Sequence, residues 1–198
     1  MEEEDFSPQD SLQLIQQMIQ KTKANLSSNR FYFLLWGWIT FGAILAQFIL
    51  KVVLHYERHY LVWLVTFVGI FINIWYGKRM AAKQNVRTYI GESMGYLWTG
   101  VGISFFVLCI IISIGKTGWQ NAYPFFILFY GLGTFVSGKI LQFNPLVIGG
   151  IINWVLAVAS VFFSFDYQLL FAAAAILSSY LIPGYMIKPQ KNEVSYGR

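Results

Sequence analysis

Charge is scarce in this chain, and cysteine nearly absent. Of its 198 residues, 12% are Asp, Glu, Lys or Arg, about half the share typical of a soluble domain. No charged residue falls between Tyr96 and Gly115, nor between Leu146 and Phe165. Stretches of that length cannot form the polar outer face that a soluble helix needs. The single cysteine, Cys109, excludes an internal disulfide. It lies in an apolar run and reads as a small packing residue. Strict apolar–polar alternation is also missing, which argues against a membrane β-barrel. In hydrocarbon the backbone must then satisfy its own hydrogen bonds as α-helix.

What fills the chain instead is apolar sequence. Hydrophobic residues make up 57% and aromatic residues 19%. Six runs approach the ~20 residues needed to cross a bilayer, at about 31–54, 60–77, 93–114, 122–138, 145–165 and 167–187. The expected fold class is all-α: a polytopic membrane protein of six transmembrane helices in one bundle (31–187). A cytoplasmic arm (1–30) precedes it and a short tail (188–198) follows. The acidic start, Glu2 to Asp5, and the length of the first run argue against a cleavable signal peptide, so that run is expected to remain as a span.

The cations are distributed unevenly. Lys21, Lys23, Arg30, Lys78, Arg79, Lys83, Arg87, Lys139, Lys188, Lys191 and Arg198 fall on one side, eleven in all, against Lys51, Arg58 and Lys116 on the other. The positive-inside bias then places both termini in the cytoplasm. The net charge of +5 is accounted for without nucleic acid as a partner. The expected partner is the bilayer itself, with its anionic lipid headgroups.

The arm carries the most specific local pattern. Ser7-Pro8-Gln9-Asp10 has the form of a helix start. Leu12, Ile15, Ile19, Thr22 and Leu26 follow at spacings of 3, 4, 3 and 4, one face of an amphipathic helix. Asn25 to Asn29 is expected to break that helix before the first span. Leu12, Ile15 and Ile19 would lie in the inner headgroup layer, pack on the base of the bundle, or dock a cytoplasmic protein or a second copy. Arg79, Lys83 and Arg87, four apart, would form a basic ridge facing anionic lipid or the acidic leader.

Candidate chemistry is sparse. His55 and His59 share a helix face, yet Glu57 is not placed as in the zinc-protease pattern, and they read as interfacial polar residues. No ionisable residue is expected near a midplane, which counts against ion-coupled transport and intramembrane hydrolysis. No cofactor or metal is expected, nor an enzymatic activity. The candidate intramembrane polar groups are Asn73 and Asn153. Gly42, Gly95, Gly133 and Gly138 each belong to a pair of small residues four apart, a spacing that lets helices approach closely. A non-enzymatic scaffold or regulatory role is the first expectation, and a small carrier or channel for a neutral or lipid-like solute the alternative.

The segment Ser11 to Ile19 leading into Arg30-Phe31-Tyr32-Phe33-Leu34-Leu35-Trp36-Gly37-Trp38, with Tyr130 to Phe135 and Ile182-Pro183-Gly184-Tyr185, resembles a family of uncharacterised multi-pass inner-membrane proteins of Bacteroidota. The resemblance implies a bacterial cytoplasmic membrane and assigns no residue a role. The charge bias yields a direct test. Gly197→Cys should resist a membrane-impermeant thiol reagent in intact cells, and Gly118→Cys should react. Labelling of Gly197→Cys from outside would reverse the orientation.

Overall fold

A computed structural model describes residues 8–81, 89–115 and 118–188. All regular structure among them is helical. Helix α1 (Pro8–Phe48) runs into a π-helical turn, Ile49–Val53, and a 3-10 segment, His59–Leu64, leads into α2 (Val65–Ala81). Then come α3 (Tyr89–Ile114), a 3-10 turn at Trp119–Asn121, α4 (Ala122–Ile140) and α5 (Asn144–Ser160). Helix α6 (Phe165–Ile176) continues through a π-helical segment, Leu177–Leu181, into α7 (Ile182–Met186).

Each of the six expected runs falls on helix. By length and composition, four stretches are long and apolar enough to cross a membrane: Asn29–Val53, His59–Arg79, Tyr89–Ile114 and Phe165–Met186. Helix α5 is apolar but has 17 residues. It ends at Ser160 rather than near 165, because the chain turns over Val161 to Ser164 and Gln168 Nε2 donates to the Phe163 carbonyl (3.0 Å).

The centre of the fold is the α4–α5 hairpin. Its turn has three residues, Leu141 to Phe143. Gln142 adopts φ +52°, the left-handed conformation that closes many helix ends. The Phe143 N–H donates to the Gly138 carbonyl (2.9 Å), and Pro145 starts α5, where its missing N–H has no partner to lose. Beyond the turn the two backbones meet. A Cβ on Gly138 would lie 2.6 Å from the Val147 amide nitrogen, and one on Gly150 would lie 2.7 Å from that of Phe135. Helix α6 and its π segment pack on the same hairpin, with Gly149 against Ser179. Helix α1 covers α6 and α7: Gly184 lies under Leu34, and Arg30 Nε donates to the Gly184 carbonyl (3.3 Å). Ile127, Leu146, Leu169 and Ile176 are fully buried in this core.

Helices α2 and α3 are peripheral. Only 6% of the α2 span and 11% of the α3 span is buried, against 56% of Phe165–Met186. Helix α2 leans on α1, where Gly69 sits under Ile39 and Trp36 and Phe31 stacks on Tyr76 at 3.8 Å. Helix α3 meets α4 through Trp98, which lies over Gly133. Among the described residues no packed seam joins α2 to α3. Their outward faces carry Phe67, Phe71, Phe106 and Ile114, all well exposed. A surface so apolar suits lipid rather than water.

Two expectations change. Helix α1 does not break at Asn25 to Asn29 but runs unbroken from Pro8 to Phe48. Asn and Ser are weak helix formers, each worth about 0.5 kcal/mol against Ala, and the apolar span continues the helix through them. The Ser7 cap and the basic positions Lys83 and Arg87 lie outside the described residues, as do the side chains of Leu12, Ile15 and Ile19. The four glycines also divide. Gly133 and Gly138 lie in tight contacts, whereas a Cβ on Gly42 or Gly95 meets nothing within 4 Å. Spacing records small size, not which way the small residue faces.

Alanine substitutions should separate these glycines. Gly138→Ala pushes on a neighbouring backbone and should lower stability by about 1–3 kcal/mol, the usual effect of overpacking. Gly42→Ala fills open space and should raise it by about 0.5–1 kcal/mol through helix propensity. Thermal unfolding in detergent would show the two opposite shifts. Equal melting temperatures would mean that α4 and α5 do not touch at Gly138.

Candidate functional site

Among the described residues no charged side chain is fully buried; the buried polar groups are hydroxyls and amides. What these groups bond to therefore decides what the bundle can do.

Gln47, near the end of α1, is a hub of three side-chain hydrogen bonds. Its Oε1 accepts from Trp63 Nε1 (2.7 Å) and from the Tyr123 hydroxyl (2.5 Å). An indole N–H only donates, so the amide orientation is set and Nε2 must donate to His59 Nδ1 (3.1 Å). His59 then carries its ring proton on Nε2. The hub joins α1, the segment before α2, and α4. Beside it Lys51 pairs with Asp166, and the Lys51 ammonium lies 4.3 Å from the Phe165 ring. The Lys51 side chain is 31% exposed and that of Asp166 42%, so the pair contributes little stability. His55 and Glu57 are exposed, and no group of three metal-ligating side chains gathers among the described residues.

Asn153 is also satisfied within the protein. It is fully buried between α5 and α6. Its amide nitrogen faces the carbonyls of Gly149 (3.2 Å) and Ala175 (3.0 Å), and its oxygen accepts from Ser179 Oγ (3.1 Å). This is a helix–helix clasp, closed from the surface.

Asn73 differs. It lies on α2, half-buried, and its side chain has no hydrogen-bond partner among the described residues. It faces a cleft of about 510 Å³ between α1, α2 and α3, with α4 and the π segment behind. The inner wall is aromatic and set edge to face: Trp98 meets Tyr180 at 5.8 Å and Tyr130 meets Tyr180 at 5.5 Å, with Phe105 tilted on Tyr130 at 4.9 Å. Among the described residues no Asp, Glu, Lys or Arg lines the cleft. Arg79 is exposed on α2, its guanidinium 5.4 Å from the Trp75 ring, and is not part of it.

The structure thus sets the two candidate asparagines apart, one closed in a contact and one open to a cavity. Sequence reasoning missed the Gln47 hub and the cleft. A signal for the cleft was present in Gly91, Gly95, Trp98, Gly102 and Phe105, spaced 4, 3, 4 and 3 on α3. No family model, curated protein or solved structure matches the chain.

The two amide environments predict opposite mutational outcomes. Gln47→Leu removes three interhelical bonds. Each such bond in a membrane is worth about 0.6 kcal/mol on average, so stability should fall by about 2 kcal/mol. Asn73→Leu removes none and should leave the melting temperature unchanged. A large loss for Asn73→Leu would show that its amide is bonded within the protein.

Proposed function

We propose that this chain is a six-span protein of the bacterial cytoplasmic membrane, with both termini in the cytoplasm, and that it acts as a non-enzymatic scaffold. Its arm helix would dock a cytoplasmic protein or a second copy of the chain. The observation that carries this reading is the continuity of α1. Its 41 residues extend about 60 Å at 1.5 Å per residue, twice the ~30 Å hydrocarbon thickness. The candidate span starts at Asn29. The preceding part, from Pro8, therefore extends away from the bilayer rather than lying flat in its headgroups. Leu26, at the base of the arm, packs against the bundle core. The apolar stripe that Leu12, Ile15 and Ile19 form by sequence spacing is the face that would dock.

The orientation draws support from the way the ends come together. Arg30 bonds to the Gly184 carbonyl and Phe31 stacks on Tyr76, which gathers Arg30, Lys78, Arg79 and Lys188 at one end of the bundle. Lys51, Arg58 and Asp166 belong to the other. The basic end would rest on anionic lipid headgroups, with Lys83 and Arg87 adding to it. The carrier alternative requires a polar path reaching Asn153. That residue is closed between α5 and α6, so the scaffold reading is preferred.

The test is a triple change, Leu12, Ile15 and Ile19 to Ser, in the full chain in native membranes. A cysteine at Gln16 should cross-link to a second copy or to one defined cytoplasmic protein, and the triple change should abolish that product. Hydrogen exchange of the arm should rise at least tenfold. If the arm cross-links to nothing, and its amides are equally protected in pure lipid vesicles, it lies on the membrane and the docking reading fails.

A further inference from the structure

The α3 glycines differ from those of the core. Those of the α4–α5 hairpin bring backbones together, whereas a Cβ on Gly95 or Gly102 meets nothing within 4 Å. Both line the cleft that Trp98 and Phe105 bound on the same helix face. They leave space rather than make contact. The cleft's volume, about 510 Å³, lies within the ~300–1,000 Å³ range of small-molecule sites. Its flanking helices α2 and α3 are not packed on one another and present apolar outer faces. An apolar tail bound in the cleft could thus leave between them into the bilayer.

We propose that this cleft binds an uncharged, flat-ringed amphiphile, its ring against the wall formed by Trp98, Tyr180 and Tyr130 and its carbonyl or hydroxyl bonded to the Asn73 amide. Three features select that chemistry. Among the described residues the lining carries no charge, so a phosphate or carboxylate head would be desolvated there without a partner. Aromatic walls favour a ring by stacked or edge-to-face contact. The Asn73 amide has no partner among the described residues and sits on an apolar helix, where an unpaired polar group is unfavourable, and an amide can both donate to a carbonyl and accept from a hydroxyl. The site does not rest on the docking reading, since the side chains assigned to the ligand, Asn73, Trp98, Tyr130 and Tyr180, lie on α2, α3, α4 and the π segment.

The test uses the full chain in detergent and a short-tailed prenyl naphthoquinone, a ring probe that quenches indole fluorescence on contact. Trp36 and Trp98 line the cleft and report occupancy. Quenching should saturate. Gly102→Phe places a ring in the open space and should abolish the saturable part while melting like the parent. If it melts lower, Gly95→Phe serves the same purpose. Asn73→Leu should raise the half-saturating concentration about five- to tenfold, the effect of one hydrogen bond of roughly 1 kcal/mol. A saturated fatty alcohol of equal length should not displace the quinone at equal concentration. Linear quenching, identical in the parent and the filled variant, would mean partition into the micelle and no site. Equal displacement by the alcohol would overturn recognition of the ring. The arm triple change should leave quenching unaltered, so failure of the docking reading and failure of this site are separately visible.

Discussion

The backbone contact between α4 and α5 is the constraint on which the rest of the bundle depends. At Gly138 and Gly150 the main chain of one helix sits where a side chain would otherwise stand. Lipid tails are as apolar as leucine, so burying hydrophobic surface gives helices little reason to associate in a bilayer; close packing does. The hairpin supplies a rigid slab. The π segment that follows α6 lies on it, with Ser179 against Gly149, and α1 in turn lies on the π segment through Gly37 and on α7 through Gly184. Each layer docks through a residue without a side chain.

Polar groups follow the same order. Within the slab and its cover, the amides of Gln47 and Asn153 find partners on other helices. Away from it, α2 and α3 hold to the core by one face each and leave a gap between them. Asn73 lies at that gap. The division between a closed core and an open flank therefore separates residues that hold the fold from residues free to meet something else.

Much of the architecture was readable in advance. Apolar runs lead directly to helices, and the all-helical class follows from them; four of the stretches are long and apolar enough to cross a membrane, while α5 stops early at Ser160. Asn25 to Asn29 misled because local propensity is weak beside the continuity of a long helix. Gly42 and Gly95 misled for a different reason. Glycine at a four-residue spacing looks the same on a lipid face, in a contact or in a cavity, and only the neighbours distinguish them. Nothing in the local sequence marks Gln47; its role depends on Trp63 and Tyr123, residues 16 and 76 positions away, and such pairings are invisible without the fold.

The three-residue turn at Leu141 to Phe143 bears on how the chain could reach its place. Helix α5 is short for a bilayer, and α4 is not among the stretches long and apolar enough to cross on those grounds alone. Each covers the other's polar backbone approach and small residues, and the turn holds them antiparallel from the moment both are made. For a hairpin placed in a bilayer, this geometry favours insertion of the two helices together rather than one at a time. A lengthened turn would then interfere with biogenesis even if the finished bundle could accommodate it.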